Sequence, residues 1–215
     1  MISSYMGIDF SDAVQLIESR LKAYKPIRIQ HNKAIRAAVM ILFLEVNNTP
    51  HILFTKRTDK VEHHKGQISF PGGVFDPGDK SLLQTGLRET YEEIGIPPEQ
   101  IRLLGESDEF FTVTKFLIRP FAAVLNPPLN YRLNRDEVAE LIHVPLWLFL
   151  TDQYFEVKKW DYHGKKYDVY FYYYDRHIIW GATAFILNRF IHLVFDYNPA
   201  PKPVYRDPGE IKILK

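Results

Sequence analysis

The chain has 215 residues, 46% of them apolar and 25% charged, which suits a single globular domain with a sizeable core. Twenty-seven Lys and Arg stand against 26 Asp and Glu, so the formal charge of +1 lacks the basic excess of a nonspecific nucleic-acid binder, and no nucleic-acid partner is expected. The absence of cysteine excludes a disulfide framework, a thiolate zinc site and a cysteine nucleophile, and is compatible with a cytoplasmic setting.

Met1 to Phe10 lacks the basic stretch and apolar run of a secretory signal, so export is not expected. From Ser11 to Tyr24, Val14, Ile17 and Leu21 recur at helical intervals, with Ser11 and Asp12 placed to cap the start. Ala34–Val46 has the content of a buried strand, Asn47-Asn48-Thr49-Pro50 forms a turn, and His51–Arg57 returns as a second strand. Gln67–Phe70 reads as a short third strand before Pro71-Gly72-Gly73 stops regular structure. Lys80–Ile94 is helical in pattern, Gly95 stands at the position of a C-terminal cap, and Pro97-Pro98 prevents continuation.

Ile101–Gly105, Phe110–Val113 and Ile118–Leu125 read as strands, and Asp136–Leu150 as a helix interrupted by Pro145. Tyr154–Trp160 and Tyr167–Tyr174 can pair across a turn at His163-Gly164, and Ala182–Phe195 forms a last helix before a Pro-rich tail. The apolar windows Val138–Leu150 and Ala182–Phe195 are each broken by polar residues and fall short of the about 20 apolar residues that a bilayer requires, so no membrane association is expected.

The Lys80–Ile94 segment carries the chemistry. On a helical wheel Leu83, Leu87, Tyr91 and Ile94 share one face, while Glu89, Glu92 and Glu93 cluster opposite. Each like-charge pair at this spacing costs about 0.2–0.5 kcal/mol, which Arg88 offsets only in part. An isolated E-x-x-E-E is most often a solvated acidic face. Here it follows Phe70-Pro71-Gly72-Gly73, where two residues without Cβ let backbone approach a ligand, and Gly86 inside the helix implies close packing, such as against that loop. Oxygen ligands without His or Cys nearby favour a hard cation such as Mg2+, which suits diphosphate hydrolysis.

Gly73, Arg88-Glu89, Glu92-Glu93, Gly95 and Ile96 together resemble the Nudix box, G-x5-E-x7-R-E-U-x-E-E-x-G-U with U apolar. The first half departs from it: Gly73 to Arg88 is one residue longer, and Asp79 or Asp76 stands where the first glutamate would be. The resemblance implies an α/β/α sandwich with a mixed sheet, here with an added N-terminal helix. It further implies that Glu89, Glu92 and Glu93 bind catalytic Mg2+ or Mn2+ and that Arg88 orients a glutamate. The expected division is a helical arm at 1–33, the Nudix domain at 34–196 and a tail at 197–215.

Leu53–Gly73 resembles the additional signature of the coenzyme A diphosphatase branch, L-L-T-x-R-[SA]-x3-R-x3-G-x3-F-P-G-G, with Thr58 in place of Ser or Ala and Glu62 in place of Arg. That branch also has the longer loop, and Ile179–Ala184 resembles its C-terminal segment. The implied substrate is coenzyme A, with Arg57, Lys65, Gly72 and Gly73 expected to contact it and Lys60, His63 and His64 as further basic groups. ADP-ribose, dinucleotides and nucleoside triphosphates are alternative substrates, and a nucleotide sensor that does not cleave is a third reading. Glu137 or Glu140, outside the box, is expected either to assist the water or to be a surface charge. The aromatic run Tyr170–Tyr174 reads as core or interface before adenine platform, which leaves a homodimer open.

Overall fold

The computed structural model describes residues 5–60, 65–162, 164–199 and 212–214. Glu62, His63, His64 and His163 lie outside the described residues. Helix α1 (Phe10–Ala23) starts at Asp9, whose carboxylate accepts the Asp12 N–H at 2.8 Å, so the cap lies two residues before the expected Ser11. Strands β1 (Arg28–Gln30), β2 (Ile35–Val46) and β3 (Thr49–Arg57) follow, β2 and β3 being joined by a two-residue turn in which Asn47 and Asn48 both have positive φ.

After the short β4 (Ile68–Ser69), the glycines do not end regular structure as expected. Gly72–Val74 forms β5, antiparallel to Ala37–Val39 of β2. The reason is steric: at Gly72, φ is +150°, and a Cβ there would lie 2.2 Å from the Ala38 carbonyl oxygen. Helix α2 spans Leu82–Ile94 with Ser81, one residue inside the expected start, as its N-cap, and Gly95 closes it at φ +76°.

β6 (Ile101–Glu106), β7 (Phe110–Phe111) and β8 (Phe116–Leu125) complete the expected strands. The predicted helix at 136–150 is a strand, β9 (Val138–Pro145), followed by a short 3-10 turn at Leu146–Leu150. Val138, Ile142 and Val144 are buried by pairing with β3, and long-range pairing of this kind overrides the weak helical periodicity. β10 (Phe155–Tyr162), β11 (Lys165–Tyr174) and β12 (His177–Trp180) form a separate antiparallel sheet, and α3 (Gly181–Phe195) leads away from it. In the tail, β13 (Lys212–Leu214) pairs with β1.

The main sheet runs β4-β3-β2-β8-β6, with β5 and β9 added on β2 and β3, and it is mixed because β2 and β8 are parallel. Alternation along β2 sends Met40, Leu42 and Leu44 to the face covered by α2, and Ile41 and Phe43 to the face covered by α1 and α3. The result is an α/β/α sandwich. Among the described residues no helix is long and apolar enough to cross a membrane. Tyr170, Phe171 and Tyr172 are buried within the chain, consistent with the core reading of that aromatic run.

Candidate active site

Helix α2 presents an unusual face to the sheet. Its buried residues are Leu82, Thr85, Gly86, Thr90, Glu93 and Ile94, whereas Tyr91 is 56% exposed and Leu83 and Leu87 are only partly buried. The expected wheel is therefore rotated: Glu93 is turned into the sheet side while Glu92 stays at the solvent face. Small side chains explain this: Gly86 lets α2 lie on β2, and the Thr90 hydroxyl donates to the Gly86 carbonyl oxygen at 2.7 Å, which removes its polarity from the interface. A Cβ on Gly86 would sit 2.7 Å from Met40 Sδ, so its close contact is with β2 and not with the glycine loop.

The glycine loop meets a glutamate instead. A Cβ on Gly73 would lie 2.4 Å from Glu89 Cδ, so the absence of a side chain makes room for that carboxylate. Glu93 is 4% exposed, beside the Gly72 N–H, and its Oε2 has no hydrogen-bond partner among the described residues. Burial above all, then the nearby Glu89 and Glu137 charges, pushes its carboxyl up to about 8, against the opposing pull of Arg57. Burial also raises Glu89, opposed by its bond to Arg88.

Arg88 organises the cluster. Its Nε and one terminal nitrogen each donate to Asp79 at 3.1 Å, while the other terminal nitrogen donates to Glu89 at 2.8 Å and Glu92 at 3.0 Å. Asp79 also accepts from the Thr85 hydroxyl at 2.8 Å, and Arg88 holds its carboxyl down at about 2. Of the two acidic residues that could occupy the first glutamate position, Asp79 is the one that meets Arg88. The bidentate contact spans the extra residue of the loop.

Glu137 reaches this cluster from another element. The loop before β9 docks on the end of α2, where the Arg132 and Asn134 N–H groups donate to the Ile94 and Glu93 carbonyl oxygens at 2.9 and 3.0 Å. Thr58 secures the far side: its N–H donates to the Glu137 carbonyl oxygen and its hydroxyl to that of Asp136. The Glu137 side chain thereby faces Glu89 and Glu93 closely enough to raise both. Glu140, the other candidate, is turned away to Arg176 at 2.8 Å. Nothing in the sequence marks Thr58 or Asn134 as a site residue beyond Thr58 standing in place of Ser or Ala.

Arg57 lies at a register shift between β3 and β9, a place where a strand re-aims a side chain, and its buried Nε lacks a partner among the described residues. Its charge reaches Glu93. Lys65 is exposed at the turn before β4.

The expected trio of glutamates is thus a pair plus one. Glu92 is half exposed and committed to Arg88, and among the described residues no three acidic or imidazole side chains converge closely enough, as they stand, to enclose an ion. Glu89, Glu93 with its orphaned oxygen, and Glu137 nevertheless offer the hard oxygen donors that magnesium takes, since that ion uses one or two carboxylates beside waters and phosphate oxygens.

Residues 34–165 match the NUDIX domain family. This chain belongs to the Nudix family. As a Nudix hydrolase it acts on phosphoric anhydrides, and the family generally uses divalent cations. It is 35% identical over 182 residues to the Nudix hydrolase NudL of Photorhabdus laumondii, covering 85% of this chain and 96% of that one. It is 33% identical over 155 residues to NudL of Pectobacterium atrosepticum, covering 72% and 80%. Among solved structures, a MutT/nudix family protein from Enterococcus faecalis aligns over 91% of this chain and 75% of that one, with a TM-score of 0.49 and 15% identity.

Proposed function

We propose that this Nudix hydrolase cleaves the diphosphate of coenzyme A or a derivative, with Mg2+ or Mn2+, to give 4′-phosphopantetheine and adenosine 3′,5′-bisphosphate. The observation that carries this reading is the position of Arg57 and Gly72, two residues of the Leu53–Gly73 segment that resembles the coenzyme A branch. Arg57, at the end of β3, and Gly72, at the start of β5, both act on Glu93. The two signature elements and the box carboxylates therefore share one site.

In this reading Glu89 and Glu93 would hold the ion, and Glu92, bonded to Arg88, is the third candidate ligand. When bound, the ion polarises a phosphoryl group and offsets charge on the departing phosphate. Gly72 and Gly73 let the diphosphate approach the backbone, and Arg57 supplies a buried cation to a phosphoryl oxygen. Glu137, held by Thr58 and Asn134, accepts the proton of the attacking water. Arg88, clamped by Asp79, keeps Glu89 aimed at the glycine loop.

Incubation with Mg2+ and coenzyme A, ADP-ribose, NADH or nucleoside triphosphates, followed by chromatographic identification of products, tests the assignment. Preferential release of 4′-phosphopantetheine is expected. Preferential turnover of ADP-ribose overturns the coenzyme A reading, and turnover of none overturns the catalytic one in favour of a sensor.

A further inference from the structure

A cavity of about 520 Å³ opens where α2 ends, between its last turn, the short turn at Pro98–Gln100 and the loop before β9. Tyr91, Glu92, Pro97, Gln100, Asn130 and Arg132 line it, and its volume is within the range of small-molecule sites. Of the groups that surround Glu93 and the glycine loop, it takes in only Glu92.

Its walls are held by backbone. The Arg132 N–H donates to the Ile94 carbonyl oxygen at 2.9 Å, the Asn126 N–H to that of Gln100 at 2.8 Å, and the Gln100 side-chain amide to that of Pro128 at 2.8 Å. Gly95 closes the fit, since a Cβ there would lie 2.6 Å from Arg132 Cβ and 2.9 Å from its N. A site held in this way needs little ordering when it binds.

The lining side chains are available to a ligand. Tyr91 leaves its ring 56% exposed. Glu92 gives Oε2 to Arg88 at 3.0 Å, which leaves its other oxygen to accept. Gln100 spends its NH2 on Pro128 and keeps its oxygen. Among the described residues the Arg132 guanidinium has no acidic partner, although Glu92 shares the cavity with it.

An aromatic face, one guanidinium and one carboxylate select among ligands by their chemistry. The face takes a flat ring, and a purine offers it the larger stacking area. A single cation suits one phosphate, whereas a triphosphate would crowd its charge against Glu92. The carboxylate asks for a donor, which adenine supplies as its exocyclic amine.

We propose that this cavity is a regulatory site for an adenine nucleoside monophosphate, with the ring on Tyr91, the amine donating to Glu92 and the phosphate held by Arg132. The proposal does not rest on the coenzyme A reading. Glu92 couples the site to the reaction, because the Arg88 nitrogen that bonds it also bonds Glu89. A bound nucleotide competes for the Glu92 carboxylate and so slows turnover.

Calorimetric titration of the full chain with AMP in metal-free buffer tests the site. Saturable binding is expected, weakened about tenfold in Tyr91→Ala by lost stacking and in Arg132→Ala by lost charge. Both positions are exposed, so folding is not at stake. IMP carries a carbonyl oxygen where AMP carries its amine, and should bind about tenfold more weakly with that oxygen facing Glu92. Absence of saturable binding overturns the proposal. So does binding that survives both substitutions and is lost in Arg57→Ala, which assigns the nucleotide to the carboxylate cluster. Kinetics with Mg2+ and a substrate that the enzyme turns over then separate regulation from substrate binding. AMP is expected to lower kcat without raising KM, and Tyr91→Ala to keep the wild-type kcat and KM but lose that response. A raised KM in Tyr91→Ala without AMP, or inhibition that excess substrate relieves, overturns the proposal and gives the cavity to the substrate.

Discussion

Helices α2 and α3 cover opposite faces of one sandwich and are built on opposite terms. α3 buries Ala184, Ile186, Leu187, Phe190, Ile191, Val194 and Phe195, with Asn188 as its one polar buried residue, bonded to Tyr172. α2 buries two threonines, a glycine and Glu93 between Leu82 and Ile94. One face contributes apolar burial, at roughly 25 cal/mol per Å² removed from water. The other holds a carboxylate in a place that favours its neutral form, a cost that the rest of the core must offset. Stability and chemistry are thus divided between the two sides of the sheet.

The largest effects should come from exchanging damage between the faces. Phe190→Ala, at a fully buried position in α3, is expected to cost about 3–5 kcal/mol in denaturant unfolding while the remaining folded protein keeps its kcat. Glu93→Gln should do the reverse, lowering kcat/KM on the order of a hundredfold or more with the unfolding midpoint unchanged or raised in metal-free buffer. Near-normal activity in Glu93→Gln would refute its assignment as an ion ligand. A large loss of kcat in Phe190→Ala would show that the faces are coupled and not divided.

Next in size is the clamp between Asp79 and Arg88 on the α2 side. Asp79→Asn removes the ionised partner of Arg88 and should cost about 1.5–3 kcal/mol at pH 7, the range for hydrogen bonds to charged groups. Because folding lowers the Asp79 carboxyl from its ordinary value to about 2, its contribution is fully present above the unfolded value and is lost as pH falls from about 5 through 2. Wild type and Asp79→Asn should therefore converge in stability toward pH 2. A difference that stays constant from pH 7 to pH 2 would assign the effect to shape and not to charge.

The two faces also differ in how much of them the sequence discloses. α3 is apolar almost all round and reads directly as a buried helix. The box residues locate α2, but the helical wheel turns it the wrong way, since periodicity counts apolar side chains and the docking face here is set by small ones, Gly86, Thr85 and Thr90. Glu137 is visible only as one of two glutamates, because its approach depends on a loop that caps the end of α2 from about forty residues away in sequence. β9 was hidden for the same reason: its alternation is weak, and only its pairing with β3 makes it a strand. Local signals thus report the residues that carry the reaction better than the contacts that aim them.

The smallest expected effect probes that aiming. Gly86→Ala gains about 0.5–1 kcal/mol in helix propensity, but the added Cβ would come within 2.7 Å of Met40 Sδ, and overpacking costs about 1–3 kcal/mol. The net should be a loss of about 1 kcal/mol, since Met40 is completely buried and yields only by displacing its neighbours. If α2 lifts from β2 in response, Glu89 moves relative to Gly73 and Glu93 relative to Gly72, so kcat should fall by more than the lost stability explains. A rise in stability with unchanged kcat would show that Met40 accommodates the methyl group, and that the glycine is not what holds the carboxylates in register with the loop.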